Sequence, residues 1–467
     1  MTTSLASTAE SKLGEQIAAR LEKMVHAGRW PAGHYLGHEE ALSRAFGASR
    51  ATIREAIAIA EWNGLVERRR GREGGLYVSA RTADPAIALL RNYLFLSGSS
   101  LTQLLRARRI VEGLILDRVV ERIGAAEADG LAELFSGEVS DDDRAHLDRL
   151  KRIVDRMSEL AEAPLLRLFG GALRHCFVDR MRTTTLDDEA YLVASREVAR
   201  YRRAQVEAIR DYDRAAVRDL QTRAMDVWVA FVEQVPAKQL GGAAVVDRLT
   251  ATSDHALIYE FVQPAKKAEA LARAIAQTIA NKGLGRGERL GTEAELMAEY
   301  GVSRRMFREG VRILERFGNV EQGRGKSGGL RVASPRRDAL LGSLQDTVAG
   351  HGSPEESSGP LLLSALLLEA VRALMESEAA RVAFLQAAQQ PMSSEGLATT
   401  LARYTPDGVT GTLTEIAVAA LHRPEPLPPL PAPALAGLLD AIAAKDRFAA
   451  PRILESLYLR DAPGNEP

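Results

Sequence analysis

Cysteine is nearly absent from this chain. Its 467 residues include one, Cys176, which excludes an intramolecular disulfide and any cysteine-built zinc site and fits a reducing cytoplasm. Aromatic residues are few, at 5%, while Ala, Leu, Arg and Glu are abundant, a balance that favours helix over strand. Charge of one sign is also missing: 61 basic residues face 62 acidic ones. The chain as a whole is no polycation, so any reading as a nucleic-acid binder must rest on local charge. No apolar run approaches the ~20 residues of a membrane span. Residues 1–12 lack the basic-then-apolar order of a signal peptide, and the expected location is cytoplasmic. No nucleophile stands beside a base, no metal cluster is apparent, and the glycine-rich Gly323 to Gly329 does not follow the strand–loop–helix order of a phosphate-binding loop. An enzyme is not expected, and no cofactor is called for.

What is present is a repeat. The segment Leu36 to Val78 is written again from Leu290 to Val332, without a gap. The register is set by Ser49 and Ser303 (303 − 49 = 254), and the same shift carries Gly33 to Gly287, Gly47 to Gly301 and Gly64 to Gly318. About 20 of roughly 43 aligned positions are identical, which marks an internal duplication.

Each copy reads as a winged helix-turn-helix. In the first, Leu13, Ile17, Leu21 and Val25 give an amphipathic opening helix. Glu39 to Phe46 forms a second helix, Gly47 permits a left-handed turn, and Ser49 caps a third helix over Arg50 to Asn63. That third helix is the natural recognition element, with Ser49, Arg50, Thr52 and Arg54 in its first turns. Two short β-like runs then flank a basic, glycine-rich tip with Arg70, Arg72 and Gly74, the pattern of a hairpin wing that can reach phosphate. In the second copy the same places hold Ser303, Arg304, Arg305 and Arg308, and the wing carries Arg324, Lys326 and Gly328. From Ser49 to Val78 there are six Arg against four acidic residues; from Ser303 to Val332 there are eight basic against three acidic. The second copy is expected to supply more of the salt-dependent affinity. The helices differ where Ala51-Thr52-Ile53 faces Arg305-Met306-Phe307, so two half-sites need not match.

Leu36-Gly37-His38-Glu39, Gly47-Ala48-Ser49-Arg50, Thr52-Ile53-Arg54-Glu55-Ala56, Gly64-Leu65-Val66 and Gly74-Gly75-Leu76-Tyr77-Val78 resemble the DNA-binding domain of the GntR family of bacterial transcription regulators. The second copy matches through Leu290, Glu293, Gly301-Val302-Ser303-Arg304, Arg308-Glu309 and Gly328-Gly329-Leu330. Both depart from the family at the arginine that usually follows the second-helix glutamate, a frequent base contact: here stand Glu40 and Ala294. Glu40 is expected to repel phosphate.

Behind each winged helix lie long amphipathic runs with almost no strand signal. Leu105 to Glu112 and Glu207 to Asp213, and in the second half Glu369 to Arg381 and Asp440 to Asp446, resemble the all-helical effector domain of the FadR-type branch. Many such domains hold a divalent metal on one Asp and three His. The resemblance places Leu150, Val154, Arg202 and Ala224 at those positions, and Leu435 and Leu457 late in the second half, so no metal is expected. His146 and His175 read as ordinary helix residues. Arg108 and Arg372 match the family's inward-facing arginine and are effector-binding candidates for a small anion. Each also has a glutamate four residues on, Glu112 and Glu376, so an intrahelical pair is the alternative.

The expected fold is mainly α, with two winged helix-turn-helix domains each followed by an all-α bundle. The boundaries are 10–80 and 84–235, a linker over 236–263 containing Gly241-Gly242-Ala243-Ala244, then 264–334 and a shortened 337–460 with a proline-rich loop at Arg423 to Pro433. The expected function is a sequence-specific regulator of repressor type whose covalently linked heads bind a double-stranded DNA operator. The rival is a protein that kept the folds and acts as a ligand-sensing or protein-interaction module. Whether one chain forms a monomeric pseudo-dimer or pairs as a homodimer stays open, and no membrane partner is expected.

Overall fold

The computed structural model describes residues 13–24 (except 15, 19, 22 and 23), 30, 33–62, 65–69, 74–78, 85–134, 143–183, 188–234, 240, 242–250, 267–323, 329–334, 340–341, 344, 358–388, 392–420 and 430–458. The mainly α expectation holds: helices dominate, and the strands form two small antiparallel sheets.

The first head begins with helical turns within residues 13–24. It continues through β1 (Tyr35–Gly37), α1 (Glu39–Phe46), α2 (Arg50–Trp62), β2 (Val66–Arg69) and β3 (Gly75–Val78). The second runs through α11 (Lys267–Lys282), β4 (Arg289–Gly291), α12 (Glu293–Tyr300), α13 (Arg304–Arg316), β5 (Val320–Gln322) and β6 (Leu330–Val332). Both sheets place the third strand in the middle, in the orders β1-β3-β2 and β4-β6-β5. Their registers agree residue by residue. Tyr35 faces Tyr77 and Val66 faces Val78; 254 positions on (289 − 35 = 254), Arg289 faces Arg331 and Val320 faces Val332. Between α1 and α2, and again between α12 and α13, the tight turn needs a left-handed residue. Glycine supplies it without a Cβ clash: Gly47 has φ 61° and Gly301 φ 64°.

Among the described residues the first head is followed by the helices α3 (Pro85–Leu96), α4 (Leu101–Arg122), α5 (Ala125–Glu133), α6 (Asp143–Leu160), α7 (Pro164–Arg182), α8 (Asp188–Arg210) and α9 (Arg214–Gln234). Helix α4 starts on a capping box in which Ser100 and Gln103 satisfy each other's backbone N–H groups. It lies against α7 and α9, and α8 and α9 form a hairpin through Asp211 to Asp213, with Tyr212 left-handed at φ 56°. The second body holds α14 (Ser358–Glu376), α15 (Glu378–Ala387), α16 (Ser394–Tyr404), α17 (Gly408–Ala420), α18 (Ala432–Ala443) and α19 (Ala449–Tyr458). There α14 packs on α17 and α19 as α4 packs on α7 and α9, and the two bodies meet along α4 and α14.

The expected linker is partly a helix. Gly242–Thr250 forms α10, which packs on α11 and α12 and buries Val245, Val246 and Leu249. Gly242 admits the ring of Tyr300 so closely that a Cβ there would lie 2.5 Å from it. Gly241-Gly242-Ala243-Ala244 marks a linker in sequence, but the apolar spacing immediately after it, Val245, Val246 and Leu249, is helical.

The two heads also differ in seating. The first has a core of its own, built on Ile17, Leu21, Leu42, Ile53, Ile57 and Leu76. The second shares one continuous core with both helical bodies. In α11 every residue from Ala270 to Gln277 is buried, as happens when a helix is covered all round. The buried polar side chains of α11, and Asn319 after α13, are matched from the first body. Arg273 reaches Asp179 at 3.3 Å and the Asn92 side chain at 3.0 Å, Gln277 accepts from Arg180, and Asn319 donates to the Leu96 carbonyl at 2.6 Å.

Candidate nucleic-acid interface

The recognition helices start on serine caps. Ser49 Oγ accepts from the Thr52 backbone N–H at 3.1 Å, and Ser303 Oγ accepts from that of Met306 at 3.4 Å. Capping satisfies a donor that the first turn of a helix otherwise leaves open. With Ile53 and Ile57, and Phe307 and Val311, turned into their heads, the helical phase leaves Arg50, Arg54, Arg304, Arg305 and Arg308 all exposed.

Thr52 departs from the sequence expectation. It is 2% exposed and shares a hydrogen bond with Ser49 Oγ at 2.8 Å, so it braces the cap and has no surface to offer a base. One residue further on, Ile53 and Phe307 are buried in their respective heads. Of the three-residue contrast between the helices, the pair exposed on both sides is Ala51 and Arg305.

The acidic residues on the helices before the turn sort the two heads further. In the first, Glu39 pairs with Arg68 of strand β2 at 3.3 Å, and Glu40 pairs with Arg50. Arg54 has no ion-pair partner among the described residues. In the second, Glu293 holds Arg304 at 2.9 Å and Arg308 at 3.4 Å, while Arg305, with 87% of its side chain exposed, is tied to Glu309 at 3.1 Å. The Glu293 carboxyl lies below its ordinary pKa, chiefly through the hydrogen bond from Arg304, with the charges of Arg304 and Arg308 adding to it. Glu40, expected to repel phosphate, is also a partner of the recognition helix itself.

At the wings, Gly74 stands just before β3, and Arg69 lies over the Tyr77 ring at 4.2 Å. In the second head the Gly323 N–H donates to the Gly329 carbonyl at 2.7 Å and closes the hairpin. Arg70, Arg72, Arg324, Lys326 and Gly328 lie outside the described residues.

The effector candidates separate. Arg108 is buried: its Nε donates to Glu112 at 2.9 Å, and its guanidinium lies 5.2 Å from the Phe177 ring centre. Arg202, at one of the places where the family's metal ligands would stand, completes the group by donating to Glu112 at 2.8 Å and to Gln205 at 2.8 Å. Burial alone would raise the Glu112 pKa; Arg108 and Arg202 overcome it and hold the carboxyl at about 2. Arg372 is no counterpart. Its side chain is 66% exposed and pairs with Glu369 at 3.5 Å, while Glu376 faces Arg106 of the first body at 3.9 Å. The buried stripe of α14 is instead apolar, with Leu362, Leu366, Leu367, Ala370 and Val371. The i, i+4 spacing of Arg372 and Glu376 copies that of Arg108 and Glu112, but it falls on the opposite side of the helix.

Of the other places tied to a metal, Ala224 and Leu435 are buried and Leu150, Val154 and Leu457 are half-buried. None of these five side chains carries a donor atom, and the Arg202 guanidinium is a poor ligand. Burial pushes His175 down to about 3, with Arg91 and Arg174 contributing, so its imidazole is neutral. Among the described residues, no three His, Cys, Asp or Glu side chains converge, and no helix is long and apolar enough to cross a membrane.

Residues 13–78 match the family described as bacterial regulatory proteins, gntR family. Over 126 residues the chain is 32% identical to the "Putative HTH-type transcriptional regulator RmpR" of Mycobacterium gastri, a stretch covering 27% of this chain and 46% of that protein. The chain thus spans less than half the length of this curated relative. Among solved structures, Streptococcus agalactiae GntR is 20% identical, with 46% of this chain and 97% of that chain covered at a TM-score of 0.33. For E. coli McbR/YncC the values are 15%, 48%, 97% and 0.23. The match over residues 13–78 coincides with the first head, which is thus similar to the DNA-binding domain of the gntR family of bacterial regulatory proteins.

Proposed function

We propose that the chain is a cytoplasmic transcription regulator of repressor type, in which two winged heads produced by an internal duplication bind one double-stranded DNA operator. The observation that carries this reading is the agreement of the two heads at one offset, in strand register and in the serine-capped helix that turns its arginines outward. In a symmetric dimer the two heads are copies and the operator is palindromic. Heads that differ at Ala51 and Arg305, and at Glu40 and Ala294, call for unequal half-sites. The contact of α4 with α14 within one chain supports a reading in which the two halves pair with each other. We therefore favour a monomeric pseudo-dimer of the FadR-type branch.

A small anionic effector has its best candidate place in the first helical body, where entry must displace Glu112 from Arg108 or Arg202. The leucine stripe of α14 offers an anion no partner.

The test is a DNA-binding titration of the full chain against salt, with light scattering on the complex. A regulator of this kind loses affinity steeply as salt rises, because bound cations are released from the phosphates. One chain per operator is expected. Two chains per operator would refute the pseudo-dimer, and a salt-independent or absent interaction would favour the protein-interaction reading that the neutralised Arg50, Arg304 and Arg308 invite.

A further inference from the structure

The heads agree in backbone and differ in where they place a carboxylate beside the recognition helix. In the second head that carboxylate is Glu293, and the next residue is the exposed Ala294. At the corresponding place in the first head, Glu39 is drawn away to Arg68 of the wing strand, and Glu40, the equivalent of Ala294, pairs with Arg50. The Glu40 and Arg50 side chains are 64% and 66% exposed. An acceptor and a donor therefore stand side by side on the face that carries the recognition helix. An ionised carboxylate accepts at several lone-pair sites, so its bond to Arg50 leaves others open.

We propose that Glu40 is a specificity residue of the first head, accepting a hydrogen bond from the exocyclic amine of a cytosine in the major groove while Arg50 donates to a guanine edge. The inference rests on the DNA-binding reading of the heads. Its chemistry follows from the groove. Cytosine presents its N4 amine there with only its own C5–H on one side and the paired guanine O6 on the other, whereas the amine of adenine is flanked by acceptors on both sides, N7 and thymine O4, which repel a carboxylate. Guanine offers O6 and N7, both acceptors suited to a guanidinium. The Glu40–Arg50 pair is thus complementary to a C·G pair and to its immediate neighbours. Ala294 offers a methyl group and no polar discrimination, so the preference belongs to one half-site.

The experiment selects bound duplexes from a randomised pool with the full chain and with three surface variants. The unaltered chain is expected to enrich a cytosine at one position of one half-site. Glu40→Ala should reduce that preference by about tenfold. Glu40→Gln should shift it toward adenine, whose N6 and N7 an amide can bridge, and Ala294→Glu should add a cytosine preference in the other half-site. If Glu40→Ala tightens binding to all sequences alike and leaves the cytosine position unchanged, Glu40 is only a counter-charge and the proposal fails. If the unaltered chain enriches no sequence, the DNA-binding reading fails and takes this proposal with it.

Discussion

Asp179 of the first helical body and Arg273 of the second head form an ion pair at 3.3 Å, with 0% and 1% of their side chains exposed. Arg91 approaches the same carboxylate at 3.6 Å. One anion thus sits between the buried Arg273 and the half-buried Arg91 at the seam that fixes the second head, and removing it takes away the counter-charge the two cations share. Asp179→Ala is expected to destabilise the chain by about 3–5 kcal/mol, the range for breaking a buried pair. Arg273→Ala should cost less, because Arg91 still neutralises Asp179. Denaturant midpoints of both variants decide the point, and equal costs would show that the two cations do not share the anion.

A pH dependence follows from Glu112. Its carboxyl titrates at about 2 in the folded chain, against an ordinary value of 4.5. A folded-state value below the unfolded one stabilises the fold above the unfolded value, and that contribution disappears as pH falls from about 4.5 toward 2. Glu112→Gln should be less stable at neutral pH and should lack this part of the acid loss. Denaturation midpoints collected across the window test it: parallel acid curves for the parent and the variant would show that another carboxylate is responsible.

For the recognition helices, Arg54→Ala and Arg308→Ala should each weaken operator binding, by about 1–3 kcal/mol where the side chain touches a base. Arg308 must first leave Glu293 whereas Arg54 has no ion-pair partner among the described residues, so the Arg54 change should have the larger effect. Titration calorimetry or fluorescence anisotropy on a selected operator measures both. A double variant that binds as tightly as the parent would remove the recognition-helix assignment.

A fragment ending near Val235 keeps the first head and its helical body but loses the covalent partner. Its operator affinity should fall well below that of the whole chain, because linkage supplies the second head at high effective concentration. The cut also uncovers the Phe95 ring, Asp179 and Arg180, which Arg273 and Gln277 of α11 meet in the intact chain. The melting temperature of the fragment should drop accordingly. A fragment equal to the full chain in both affinity and melting would argue against cooperation between the halves.

The heads were legible because their signals are local. Gly47, Ser49, Gly301 and Ser303 each mark a turn or a cap within a few residues, and two copies at one offset reinforce each other. What escaped depended on which side of a helix faces inward. Thr52 sits among exposed arginines in sequence, yet a step of two residues from Arg50 carries it to the buried side. Arg372 and Glu376 have the spacing of Arg108 and Glu112, and only packing shows that α14 turns its leucines inward. The seam was beyond sequence reasoning for a different reason. Asp179 and Arg273 are 94 residues apart (273 − 179 = 94), and nothing local to either announces the other.

The leucine stripe of α14 bears on how such a chain can change over time. In an assembly of identical subunits every substitution appears in each copy, so a polar interior and an apolar one cannot coexist by mutation of one gene. Here Glu112 with its arginines and Leu366 with its neighbours occupy different parts of one polypeptide. One helical body can therefore lose or acquire chemistry while the other goes on acting as scaffold, and selection can act on each half separately.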